Sequence, residues 1–218
     1  MTKWTAVLTA IWLPVLAQAA PRLIFTKSFP GSVPAYVEIS VEKDGTAVYK
    51  EAPDDNNPIS IHLTQADADA MFSLADKLNH FADPLEANVK VAFMGKKTFR
   101  YEDPAGTEKP HQAEFNYSAD PNAQALLDWF ERIAESERDF IELERTVKYD
   151  KLGVQDALLR MQATHDQNRL LAPQQFLPLL DRVVRNESYM NIARQRAALF
   201  AQEFRAQPQA PAVNTTQK

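Results

Sequence analysis

The chain has 218 residues, no cysteine, 24 basic against 29 acidic side chains, a net charge of −5 and a mean hydropathy of −0.38. Lacking cysteine, it has no disulfide, no thiolate metal ligand, no cysteine nucleophile and no lipid attached through a cysteine side chain. The acidic balance argues against nucleic acid and against an anionic membrane surface as the main partner, and the length suffices for one domain, or one domain with an appendage, held by its core alone.

Residues 1–19 read as a secretory signal peptide. Lys3 is the basic start, Trp4 to Leu16 the apolar stretch, and Ala17-Gln18-Ala19 a small-x-small cleavage site followed by Ala20-Pro21. The apolar run is shorter than the roughly 20 residues that span a bilayer, and Pro14 interrupts it. Cleavage after Ala19 removes Lys3 and takes the net charge from −5 to −6. No later run is long enough to form a transmembrane segment. Arginine dominates lysine after Lys151, so the chain reads as a bacterial export, periplasmic or secreted. The sequons at Asn116, Asn186 and Asn214 are then accidental.

Residues 20–118 read as strand-rich. Val37, Ile39 and Val41 alternate with Glu38, Ser40 and Glu42, the period of a half-buried strand. Asp44-Gly45 supplies a tight hairpin turn, and 47–50 return as the partner strand. A polar loop at Asp54 to Pro58 leads to a strand carrying Ile59, Ile61 and Leu63. Thr64 has the position of a helix cap with Asp67 in the first turn, and the helix is expected to reach about Phe81. Val89, Val91 and Phe93 alternate as a further strand before a turn at Gly95, a return through Phe99 and Tyr101, and a last strand at Phe115 and Tyr117.

Residues 119–205 read as helical. Asp120-Pro121 is a cap followed by proline at the first helical position, opening a long helix to about Tyr149 whose stripe is Leu126, Phe130, Ile133, Phe140 and Val147. Glu137 and Glu144 share that stripe. Helices are expected over 153–166, 173–185 and 188–205, with 206–218 as a disordered tail. The fold class is α+β, an antiparallel sheet of short strands with a covering helix and a C-terminal helical extension.

Candidate chemistry is thin. Glu38, Glu42, His62, Lys90, Arg100, Glu114 and Asn116 hold outward strand positions, and Glu38, His62 and Glu114 would form an acid–base group if strand order brought them within hydrogen-bond reach. A solvated face of cross-strand ion pairs is the plainer reading. The histidines 62, 80, 111 and 165 lie on separate elements without metal-ligand spacing, so no metal site is expected. Asp54 to Asn57 lacks the glycine and closing glutamate of a calcium loop and reads as a turn. The chain has no G-x-S-x-G elbow, and its five glycines are too scattered for a phosphate-cradling loop, so no cofactor is expected.

Charge is segregated between the helices. Residues 120–144 hold eight acids and two bases, whereas 182–205 hold five arginines against two glutamates. Internal packing would pair Arg194 or Arg196 with Glu137 or Glu144. Alternatively, Arg194 and Arg196, with Tyr189, Phe200 and Phe204 as anchors, would dock another protein.

A leader, short strands containing Tyr36-Val37-Glu38-Ile39 and Asp44-Gly45, and arginine-rich helices together resemble uncharacterised exported bacterial proteins, a likeness that implies location only. The expected function is an exported soluble binding or interaction module of the envelope, with a protein or envelope polymer as partner and no nucleic acid. The alternatives are an envelope-acting hydrolase using scattered carboxylates and a structural component of an envelope assembly. Expression of the full chain in a bacterial host with intact export, followed by mass spectrometry of the product, is expected to give Ala20 as the first residue; retention of Met1 in exported material would overturn the cleavage assignment.

Overall fold

The computed structural model describes residues 20–104, 106 and 110–207, so the leader and all but the first two residues of the expected tail lie outside the described residues. The strands are β1 (Arg22–Ser28), β2 (Tyr36–Glu42), β3 (Thr46–Lys50), β4 (Ile59–His62), β5 (Lys96–Glu102) and β6 (His111–Phe115). The helices are α1 (Gln65–Lys77), α2 (Pro121–Tyr149), α3 (Val154–Asp166), α4 (Leu177–Arg185) and α5 (Asn191–Ala206). Among the described residues, all six strands pair antiparallel in one sheet of order β4-β3-β2-β1-β5-β6, which joins the two strand groups of the sequence into one layer.

Alternation sets the two faces of the sheet. Leu23 and Phe25 of β1, Ile39 and Val41 of β2, Ala47 and Tyr49 of β3, Ile61 of β4 and Phe99 of β5 are fully buried on one face. Cross-strand register lines them up in rows, Leu23 opposite Val41 and Phe25 opposite both Ile39 and Phe99. α1 and the first half of α2 cover this face with Met71, Phe72 and Ala75 and with Leu126, Phe130 and Ile133. The Phe130 ring stacks on Phe25 at 5.0 Å between centroids and lies 5.8 Å from Phe99.

The caps form as their residues dictate. Thr64 accepts a hydrogen bond from the Asp67 amide at 3.2 Å, and Asp120 accepts from Asn122 and Ala123 at 2.7 and 3.2 Å. α1 stops at Lys77, short of the expected Phe81, because Asn79, His80 and Phe81 adopt left-handed backbone angles. That turn seats Phe81 in the core and lays His80 over Tyr101 at 4.0 Å.

Val89, Val91 and Phe93 do not form a strand. Both edges of β5 are already taken by β1 and β6, so the segment leaves the sheet as a loop, with these side chains 52 %, 41 % and 60 % exposed. Tyr117 likewise lies beyond the end of β6.

α2 continues past the sheet into a second core. There Leu143 and Val147 meet Leu158 and Met161 of α3, Leu180 and Val183 of α4, and Ala197 and Phe204 of α5. α4 is entered through a short 3-10 turn at Pro173–Phe176 rather than directly. The two cores are distinct clusters that share one helix, and no helix among the described residues is long and apolar enough to cross a membrane.

At the β2–β3 hairpin, Gly45 has φ +86° and its missing Cβ would lie 2.6 Å from the Leu63 carbonyl oxygen. Gly31 is also left-handed at φ +91° but faces open space. Gly45→Ala is therefore expected to destabilise by about 2–4 kcal/mol and Gly31→Ala by about 1 kcal/mol, read by urea denaturation. Equal losses would mean that the Leu63 contact is not limiting.

Candidate functional site

Among the described residues, no element covers the face of the sheet opposite α1 and α2. Its outward residues form a shallow trough of about 530 Å³ across β2, β1, β5 and β6, lined by Arg22, Ile24, Thr26, Glu38, Lys96, Thr98, Arg100, Glu102, Gln112 and Glu114. Strand pairing fixes its grid. Thr26 lies opposite Glu38 on one side and Thr98 on the other, and Thr98 lies opposite Glu114.

Charges on this face neutralise one another. Glu102, its side chain 12 % exposed, is gripped by Arg22 and Arg100, the Arg100 contact being 2.5 Å. Lys50 pairs with Glu38 at 2.9 Å and Lys96 with Glu114 at 2.8 Å. Burial alone would raise the Glu38 carboxyl, but hydrogen bonds from Lys50 and from the Tyr36 hydroxyl at 2.8 Å hold it below its usual range. Glu38 is thus a fixed anion rather than a proton donor. The Arg100 Nε atom is buried without a hydrogen-bond partner among the described residues.

Strand order keeps the expected acid–base group apart. Glu38 and Glu114 sit three strand spacings from each other, roughly 14 Å. His62 is on edge strand β4, two strands from Glu38 and, in register, opposite Thr46 rather than Lys50. Lys90 is on the loop and Asn116 beyond β6, where its side chain binds that loop. Glu42 falls in the row of Arg22. Local spacing does not single out Arg22 and Thr26, which alternate with Leu23 and Phe25 on β1, or Thr98 and Glu102, which alternate with Phe99 and Tyr101 on β5.

The helical candidates are also relocated. Tyr189, Phe200 and Phe204 are buried, with Tyr189 donating its hydroxyl to the Val147 carbonyl at 2.9 Å, so they are core residues and not docking anchors. Arg194 donates to the Val184 carbonyl at 3.2 Å, and Arg196 lines the groove between α3 and α5 beside Ile192 and Leu199. Neither meets Glu137 or Glu144. Glu144 is exposed, because the stripe of α2 rotates as the helix passes from one core to the other.

Glu137 is the most unusual titratable group. It is fully buried where the two cores meet, with one carboxyl oxygen accepting from Gln175 at 2.7 Å and the other without a partner among the described residues. Burial pushes its pKa up to about 7, against which the Gln175 hydrogen bond acts only weakly. It opens onto no trough that would bring it a substrate.

Among the described residues no group of three His, Cys, Asp or Glu side chains is placed to hold a metal. His80 pairs with Asp76, His165 with Glu203, and the Asp55 carboxylate accepts from the Glu51 and Asn57 amides as a turn residue does. Comparison with known proteins gives no family model, no curated protein and no solved structure that matches the chain.

A buried acid whose folded pKa lies above its unfolded value binds its proton more tightly in the native state. Its stabilising effect is complete below about pH 4.5 and declines as pH rises to about 7, a loss of about 3 kcal/mol. Glu137→Gln is expected to flatten the fall in unfolding free energy between pH 5 and 8; an unchanged slope would place the titration elsewhere.

Proposed function

We propose that the chain is an exported, soluble binding module of the bacterial envelope that holds a polar, glycan-type polymer along the open face of its sheet. The trough across four strands carries this reading. It presents hydroxyls from Thr26 and Thr98, the Gln112 amide and the Arg22–Glu102–Arg100 cluster, with opposite charges already compensated. A surface of fixed donors and acceptors with little net charge suits an uncharged hydrogen-bonding chain better than a nucleic acid or a polyanion. The signal-like N-terminus supports this reading, since an exported protein would meet such a polymer in the envelope.

The hydrolase alternative is less favoured by the same geometry. Two-carboxylate glycoside hydrolysis needs its acids about 5–10 Å apart, and Glu38 and Glu114 are farther apart with a lysine on each. The reading of a structural component would require the helical extension to pair with another subunit, and its buried aromatic residues already pack at home.

Cosedimentation of residues 20–218 with purified cell-wall sacculi tests the proposal. The protein is expected to pellet with the sacculi, and Thr98→Arg, which fills the trough, and Arg100→Glu, which breaks the cluster, are each expected to weaken binding at least about tenfold. Wild-type protein that stays in the supernatant, or variants that bind equally well, would overturn it.

A further inference from the structure

We infer that the cavity beneath the β1–β2 loop, on the helix-covered face of the sheet, binds a free α-amino acid with a large apolar side chain. The cavity has a volume of about 290 Å³ and lies between the sheet and the middle of α2. That size is near the lower end of small-molecule sites, roughly 300–1,000 Å³, and suits a monomer rather than a polymer. It is separate from the trough, since Phe25 and Lys27 point to the other side of the sheet from Thr26, and the two share no lining residue.

Three parts of the chain build the cavity. Phe25, Val37 and Tyr49 of the sheet form an apolar floor. α2 brings Glu131, Ala134, Glu135 and Arg138, which at spacings of three and four residues share one stripe of the helix. Ala134 leaves the space, because it contributes only a methyl group where its neighbours on the stripe are long. The β1–β2 loop closes the remaining side and holds its own shape. Its Phe29 amide donates to the Ala35 carbonyl at 2.9 Å, and its Ser32 hydroxyl donates to the Phe29 and Pro34 carbonyls at 2.8 and 2.6 Å.

Charge selects the ligand. Most acids at this end of the molecule are already committed: Glu135 is bound by Arg169 at 2.5 Å, Glu142 is paired with Arg145 at 2.8 Å, and Glu51 and Asp139 accept from the Tyr49 and Thr164 hydroxyls at 3.0 and 2.6 Å. Among the described residues, Lys27, Glu131 and Arg138 line the cavity with neither an ion pair nor a side-chain hydrogen bond. Lys27 and Glu131 belong to the same end of it. Lys27 lies opposite Lys97 in register, and Lys97 and Glu131 line one cleft beside Phe115. The buried Lys97 amine feels both, its pKa lowered by burial first and then by Lys27, and partly restored by Glu131.

An unpaired ammonium beside an unpaired carboxylate matches the two charges that an α-amino acid carries on one carbon. A ligand with only one of those charges would leave either Glu131 or Lys27 without a partner, whereas a zwitterion meets both. Arg138 is two turns, about 10 Å, farther along α2 and is exposed at the rim, where water serves its charge. The apolar floor is thereby left to the side chain of the ligand.

Amide NMR titration of isotope-labelled residues 20–218 tests the inference. L-Phenylalanine is expected to shift resonances around the cavity with a Kd below about 1 mM. Phenethylamine, which lacks the carboxylate, and 3-phenylpropionate, which lacks the ammonium, are each expected to bind at least about tenfold more weakly. Glu131→Gln is expected to weaken phenylalanine at least about tenfold but 3-phenylpropionate by less than about twofold, and Lys27→Gln to weaken phenylalanine likewise but phenethylamine by less than about twofold. Ala134→Leu, which fills the cavity, is expected to abolish binding, with the melting temperature of each variant showing that it folds. No shifts at about 10 mM phenylalanine, shifts that all three folded variants leave unchanged, or equal affinity for phenylalanine and a single-charge analogue would each overturn the assignment.

Discussion

The contact of Phe130 with Phe25 and Phe99 is the joint on which the molecule depends. It fixes α2 on the sheet, and among the described residues α2 is the only helix that contributes to both cores. A helix of 29 residues is about 43 Å long, so a rotation at Phe130 would misplace Leu143 and Val147, roughly four and five turns away. Between these two regions the α2–α3 side is laced by polar contacts. Arg169 bridges Glu135 and Asp128, the Leu171 amide donates to the Ser136 hydroxyl, and Arg132 reaches the Asn168 carbonyl while stacking on Trp129. These bonds set the position of the chain entering α4, and Glu137 lies at their inner end. Buried polar groups of this kind contribute more to fixing one register than to stability.

Local chemistry made much of the fold legible. The β2–β3 hairpin follows from alternating valine and isoleucine around Asp44-Gly45, and both long-range helix starts follow from Thr64 and Asp120 finding amides to accept from. What local chemistry does not carry is competition for partners. Val89, Val91 and Phe93 alternate as well as any strand in the chain, yet β5 offers them no free edge. α1 ends early because Phe81 gains a core position by leaving the helix through a left-handed turn. Glu137 and Glu144 look alike on the helical stripe, and only the change of neighbours along α2 buries one and exposes the other.

The candidate surface was legible in part for the same reason. Outward residues on single strands could be named, including Glu38, Arg100 and Glu114, but the row that a side chain shares with its neighbours depends on strand order. That order places threonines from β1 and β5 between the two glutamates and gives each glutamate its own lysine. The result is a face suited to holding a chain of hydrogen-bonding groups. Arg22 and Glu102 complete it from positions 80 residues apart, a pairing that no local spacing announces.

The sheet ends in two short strands, the four residues of β4 and the five of β6. Pro58 and Pro110 precede them, and His62, His111 and Glu114 stand on them. A short edge that is entered through proline and carries polar side chains is a poor template for adding another strand. Short, polar edge strands entered through proline therefore make the sheet, among the described residues, a poor site for edge-to-edge association. Any partner of the sheet is directed to its face, where side chains rather than backbone decide what is recognised.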